Sequence, residues 1–211
     1  MLDLSSENSS KARRDSPSAR RNAQAILDVL RRVLPLTGTV LEIGSGTGQH
    51  AASFAGPLAP RLWLPSDPDA DQRASIIAWT TDMEEPKPLP PRIIDAASAE
   101  WDVRAGDNIT AITSANVVHI SPWATCMGIV AGAGRILSTG GVLHFYGPFK
   151  PGGAHITNSN ADFDATLRAH DPAWGIRNLD DIEALATAAG LKLDQVIEMP
   201  TNNYSVVFKR L

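Results

Sequence analysis

Three glycines at alternate positions, Gly44, Gly46 and Gly48, follow the apolar run Thr39-Val40-Leu41-Glu42-Ile43 and precede the small-residue stretch Gln49-His50-Ala51-Ala52. Glycine takes up positive φ freely and lets a ligand approach the backbone, so a strand, a glycine turn and a helix in this order make a ligand cradle. The same residues would also serve a tight turn with no ligand. Three carboxylates bear on what the cradle would hold: Glu42 before the loop, Asp67 after an apolar run at 62–64, and Asp95 after another at 92–94. In a doubly wound sheet these three strand ends are neighbours, and their carboxylates would rim one crevice. Such a field repels a pyrophosphate and favours a ligand carrying positive charge. S-adenosylmethionine (SAM) fits, having a sulfonium, an ammonium and a ribose diol but no phosphate. The spacing G-x-G-x-G also departs from the dinucleotide fingerprint G-x-G-x-x-G. Asp67 is placed to accept from both ribose hydroxyls. Its other reading is a helix cap in Asp67-Pro68-Asp69.

Methyl transfer from a sulfonium is a direct displacement, served mainly by aligning the nucleophile and excluding water, so no single catalytic residue has to stand out. The acceptor should enter where the fourth and fifth strands end. Asn116, His119, Ser121 and Trp123 follow the fourth; Tyr146, Phe149, Lys150 and His155 follow the fifth. His119 is either a base working near neutral pH or a structural histidine bonded to a loop carbonyl. Tyr146 is either an orienting hydroxyl or the polar end of a core ring. Trp123 and Trp174 are aromatic walls or core. Lys150 lies beside Gly152-Gly153, in a 147–160 loop able to close as a lid, or is a solvated lysine. His144 belongs inside the fold, and Cys126 reads as a small buried hydrophobe. The five histidines are scattered, and no metal is implied.

The elements that must position these groups alternate. A helix from Asn22 carries Ile26, Leu30 and Val33 at helical spacing and ends at Pro35. Strands at 39–43, 62–64, 92–94, 109–115 and 142–146 interleave with helices after the glycine loop, near 70–80, and at 123–137. That alternation predicts a Rossmann-like α/β doubly wound sheet with helices on both faces. A helix near 179–189 stops at Gly190, and strands at 191–199 and 204–210 are separated by four residues. So short a link forces an antiparallel hairpin. The expectation is about seven strands, mostly parallel, in a single domain over residues 21–211, behind a mobile polar tail at 1–20.

The run 41–48 resembles the first motif of class I SAM-dependent methyltransferases, and the terminal hairpin resembles their reversed last strand. More narrowly, Arg21-Asn22, the loop through Gln49-His50, Pro65-Ser66-Asp67, His119-Ile120-Ser121-Pro122-Trp123, Tyr146-Gly147-Pro148-Phe149, Asp171-Pro172-Ala173-Trp174-Gly175 and Asn202-Asn203 are similar to the methyltransferase-like protein 26 group. That is a family long filed as a domain of unknown function, and the resemblance covers about residues 20–211. It implies that Glu42, Gly44, Gly46 and Gly48 hold the methionine end, with Ser45, Thr47 and His50 also binding the cofactor. It further implies Asp67 on the ribose, Asp95 and Ala96 at the adenine edge, and Asn116 and Val117 over the sulfonium. Arg21 and Asn22 would cover the cofactor. Ser121, Trp123, Phe149, Lys150 and Asn203 would face the acceptor, with His119 and Tyr146 as catalytic candidates.

Composition narrows the classes. The 211 residues carry 19 Lys+Arg against 23 Asp+Glu, a net charge of -4 that lacks the basic face a nucleic-acid platform needs. One cysteine excludes an internal disulfide and any cysteine-built metal site, and with no signal-peptide pattern the expected location is cytoplasmic. Residues 108–134 carry no formal charge, yet Asn108, Asn116, His119, Ser121 and Pro122 interrupt them, so a buried sheet centre is expected rather than a membrane span. The reading is a SAM-dependent methyltransferase acting on a small-molecule or peptide acceptor. The alternatives are a SAM-binding protein that transfers no methyl group and, more remotely, a nicotinamide oxidoreductase.

Overall fold

Short aliphatic runs separated by helices build one mixed sheet in the computed structural model, which describes residues 12–211. In chain order the elements are α1 (Pro17–Val33), β1 (Thr39–Ile43), α2 (Gln49–Phe54), β2 (Leu62–Ser66), α3 (Ala70–Thr80), β3 (Ile109–Ala115), α4 (Trp123–Ile136), β4 (Val142–Gly147), β5 (Phe149–Lys150), α5 (Asn158–His170), β6 (Arg177–Asn178), α6 (Leu179–Ala188), β7 (Leu191–Met199) and β8 (Asn203–Arg210). The main sheet runs β2-β1-β3-β4-β8-β7. Its first four strands pair parallel, and β8 pairs antiparallel with both β4 and β7.

Side chains alternate across a strand, so each strand feeds two cores. On β4, Leu143 and Phe145 pack with Ile129, Ala133 and Ile182 of α4 and α6, whereas Val142 and Tyr146 pack with Leu30 and Phe54 of α1 and α2. The uncharged stretch is explained by this placement. β3 lies between neighbours in the middle of the sheet, covered on both faces, and α4 packs Cys126, Ile129, Val130 and Ala133 into the core. Among the described residues no helix is long and apolar enough to cross a membrane.

The main sheet has six strands, not about seven. The strand expected at 92–94 makes a single parallel bridge, Arg92 to Ser66. Leu89 N–H donates to Trp63 O at 2.8 Å and Arg92 N–H to Pro65 O at 2.9 Å, so the segment runs beside β2. Pro88, Pro90 and Pro91 have no N–H to offer, and the ladder cannot continue through them. Helix α1 starts at Pro17 rather than Asn22, because Ser16 caps it and the Pro17 ring is preset for a first turn. The expected mobile tail therefore overlaps structure. Arg14 N–H donates to Ser75 Oγ at 2.9 Å, Ser16 N–H donates to Gln49 Oε1, and Gln49 Nε2 donates to Asp15 Oδ1 at 2.9 Å. Residues 1–11 of that tail lie outside the described residues. Helix α5 and the two-residue β5–β6 pairing were not expected. α5 buries only Asn160, Asp164 and Leu167, too few apolar positions to give a helical period.

Candidate functional site

The glycine loop lies at the carboxyl end of β1. Gly44 has φ 68°, and a Cβ there would come within 2.6 Å of Val117 Cγ2; Gly48 has φ 88°, and a Cβ there would sit 2.7 Å from Ile76 Cα. Both positions combine a left-handed backbone with a close neighbour, so only glycine fits. Gly46 is different. Its φ is 54°, and a Cβ would meet nothing within 4 Å, so its backbone faces open space. An open glycine backbone at the end of a parallel strand is what a ligand lying on the loop requires.

Asp67 braces this loop from β2. Its Oδ2 accepts from Gly46 N–H at 2.9 Å and its Oδ1 from Asp69 N–H at 3.0 Å. The carboxyl is 7% exposed, and burial raises its pKa against the two backbone donors that lower it. The helix-cap role belongs to Asp69, whose side chain accepts from Asp71 N–H. Ser45 and Thr47 serve the loop itself: Ser45 Oγ accepts from Ser66 N–H at 3.0 Å, and Thr47 Oγ1 donates to Gln49 Oε1 at 3.0 Å.

Glu42 does not join a rim of three acids. It lies on the face of β1 that packs under α1, 3% exposed, with Oε2 accepting from Trp63 Nε1 at 3.0 Å. Burial raises its pKa to about 7. His50 stacks on Phe54 beside it, with Nδ1 3.9 Å from Glu42 Oε1 and Nε2 2.8 Å from Asn22 Oδ1; burial lowers its pKa to about 4. Asp95 is exposed and accepts from Ala97 N–H at 2.9 Å, and Ala96 is buried with its carbonyl against Gly128 of α4.

A carboxyl whose folded pKa lies above its unfolded value binds its proton more tightly when folded. The burial penalty on Glu42 is therefore absent below about pH 4.5 and complete above about pH 7. At about 1.4 kcal/mol per pKa unit, Glu42→Gln is expected to gain roughly 3 kcal/mol on the parent between pH 4.5 and pH 8 in urea unfolding. A difference that stays flat across that range would show that Glu42 titrates normally.

A second feature opens where β3 and β4 end, a cleft of about 550 Å³. Asn116 follows β3 with φ 60°, its N–H donating to Tyr146 O at 2.8 Å. His119 and Tyr146, each 3% exposed, line the cleft together with Arg21, Asn22 and Asn203. Burial, with Arg177 nearby, lowers the His119 pKa to about 4, and its buried Nδ1 has no hydrogen-bond partner. Burial raises the Tyr146 pKa, against Asn22 nearby, which lowers it. The segment after Asp171 clamps the His119 loop from behind. Gly175 N–H donates to His119 O at 3.0 Å, and Arg177 donates to Val118 O and Ser121 O.

Four expected acceptor residues are not in the cleft. Phe149 is fully buried in the core. Lys150 pairs in β5 with Asn178 of β6, so the expected lid at 147–160 begins as a short strand rather than an open loop. Ser121 donates to Val117 O, and Trp123 packs on the core under Arg177. His144, expected inside, is fully buried between Thr113 Oγ1 at 2.8 Å and Ser205 Oγ at 3.1 Å. Cys126 is likewise buried, its pKa pushed up to about 12 by burial.

Of the far wall of the cleft, the sequence pointed only to the turn carrying Asn202-Asn203. Ser159, Asn160 and Phe163 come from α5, and Thr201 and Asn202 from the β7–β8 turn. The two pieces are tied, Asn160 Nδ2 donating to Asn202 O at 3.1 Å and Asn202 Nδ2 to Ser159 Oγ at 3.3 Å. The left-handed φ values of Thr201 and Asn202, 62° and 59°, mark the turn. The available signal was the cap Thr157-x-x-Asn160, which the weak apolar period hid.

The profile of a family described as "Protein of unknown function (DUF938)" matches residues 13–210. Solved structures share the fold at low identity. TnmH is 18% identical with a TM-score of 0.69, over 92% of this chain and 56% of its own. An O-methyltransferase family 2 protein from Planctomyces limnophilus, solved with apigenin, is 16% identical with a TM-score of 0.71, over 92% and 60%. Magnesium protoporphyrin IX methyltransferase (ChlM) from Synechocystis, solved with bound SAH, is 13% identical with a TM-score of 0.65, over 91% and 83%. The chain thus spans little more than half the length of the first two. The likeness shows the fold: a mostly parallel α/β sheet closed by an antiparallel C-terminal hairpin, shared with these methyltransferases.

Proposed function

We propose, because the chain belongs to the family described as "Protein of unknown function (DUF938)", that members of this family with this site are SAM-dependent methyltransferases acting on a small acceptor. The observation that carries the reading is the open backbone of Gly46 braced by Asp67, beside a cleft at the ends of β3 and β4. Relatives of the same fold were solved with SAH and with apigenin, which supports a methyl donor on the loop and a small molecule in the cleft. The ordered motifs from Arg21-Asn22 to Asn202-Asn203 support placing the chain with the methyltransferase-like protein 26 group, and its composition supports a cytoplasmic setting.

Bound SAM would supply an activated methyl group that an acceptor lone pair takes as the carbon–sulfur bond breaks toward sulfur. This chain's residues supply the alignment. Gly44–Gly48 backbone and Asp67 hold the donor, Asn116 and Val117 separate it from the cleft, and His119 and Tyr146 orient the acceptor. His119, neutral at pH 7, suits a hydrogen bond better than strong base catalysis. Titration calorimetry on the full chain should show SAM and its demethylated product binding and NAD failing to bind. Absence of SAM binding at high micromolar concentration would remove the reading. Methyl-labelled SAM turned over with a cell extract separates an enzyme from a protein that only binds SAM.

A further inference from the structure

The lining of the cleft is uneven in charge. Arg21 is the only formally charged residue among the described residues that line it, and no carboxylate does. Arg21 is exposed and forms no ion pair among the described residues, unlike its neighbour Arg20, which is 2.9 Å from Asp15. Opposite stands the N-terminus of α5, a 13-residue helix with no acid in its first turn. Its first N–H groups have no partner in the helix ladder, and Thr157 satisfies only that of Asn160, at 3.2 Å. The aligned peptide dipoles add partial positive charge at that end. Two carboxylates follow further along the helix: Asp162 is exposed and does not line the cleft, and Asp164 is engaged, accepting from Ile176 N–H and Arg168 and lying 3.3 Å from His155 Nε2.

The second observation is independent of the helix. His119 lines the same cleft, 97% of its surface is covered, and its Nδ1 has no hydrogen-bond partner. A buried polar nitrogen left alone costs free energy, and at a ligand site it marks where a bound molecule completes the hydrogen bonding. The clamp from Gly175 and Arg177 holds the backbone that carries this ring.

Resting on the methyltransferase reading, we propose that the acceptor is a small organic acid, its anionic oxygen held between Arg21 and the N-terminus of α5 and a polar group of it bonded to His119. A cationic amine would find neither a carboxylate nor a ring of aromatic faces here. The half-exposed Phe163 and Ile120, both lining the cleft, give an apolar edge for the rest of the molecule.

The test uses a cell extract freed of macromolecules and separated on ion exchangers into anionic, neutral and cationic fractions. Each fraction is incubated with the full chain and methyl-tritiated SAM. Label is expected at least tenfold higher with the anionic fraction. Label confined to the neutral or cationic fraction overturns the assignment while leaving the enzyme reading intact. No label with any fraction, and no SAM binding, removes both. SAM binding with no label in any fraction also overturns the acid acceptor. Arg21→Gln is then expected to raise KM for the active acceptor at least tenfold while the SAM Kd stays within twofold. The reverse pattern would place Arg21 on the cofactor and defeat the proposed contact.

Discussion

At pH 5 the protein is expected to be about 3–4 kcal/mol less stable than at pH 7, which for a chain of this size lowers Tm by roughly 10 °C. The cause is three histidines that folding keeps neutral. Burial lowers the pKa of His50 to about 4, of His119 to about 4 and of His144 to about 3. In the unfolded chain each takes a proton below about pH 6.5. For a base whose folded pKa is depressed, stability is complete above the unfolded value and falls as pH drops toward the folded one. Between pH 7 and 5 that is about 2 kcal/mol for each ring. Glu42 acts in the opposite sense, its raised pKa returning about 2 kcal/mol over the same interval. The histidines outnumber it and win. Differential scanning calorimetry at the two pH values measures the result, and an unchanged Tm would mean that these rings are not held neutral. His119→Gln, which removes a ring with an unpartnered nitrogen, should shrink the difference by about 2 kcal/mol.

Replacing Asp67 by Ala is expected to weaken SAM by roughly 10- to 150-fold, the equivalent of one charge-assisted hydrogen bond of about 1.5–3 kcal/mol. The structure adds a second route to this loss. Asp67 Oδ2 holds Gly46 N–H, so the variant also frees the most open residue of the loop. Asp67→Asn keeps one carbonyl oxygen for Gly46 but loses the charge and the acceptor for Asp69 N–H, and its affinity should fall between parent and Ala. Calorimetry with SAM decides the matter. Affinity of Asp67→Ala within twofold of the parent would reduce Asp67 to a loop brace and take the ribose contact out of the proposed site.

Glu42 shows where sequence reading of charge stops. It precedes the glycines in the chain, as the reading required, but side chains alternate along β1, and the carboxyl falls on the α1 face against Trp63. A formal charge in a sequence thus became a buried group whose pKa burial raises. The third strand failed for a different reason. Its position beside β2 was legible, whereas the prolines of residues 88–91 removed the donors that would have extended one bridge into a ladder.

What the sequence determined by itself was the frame. Alternating aliphatic runs and helices set the parallel order, the four-residue link set the antiparallel hairpin, and glycines at alternate positions set the loop, because period, link length and φ are local properties. The six-stranded order of the sheet carries those local choices into one place. Only the tertiary structure decided the acceptor cleft. Its walls come from α1, the ends of β3 and β4, the first turn of α5 and the β7–β8 turn, segments up to about 180 residues apart. α5 and the turn are joined by Asn160 and Asn202, polar side chains that no periodicity announces. Burial then fixed the chemistry, since the protonation of Glu42, His50 and His119 depends on how much water the packed chain leaves around them.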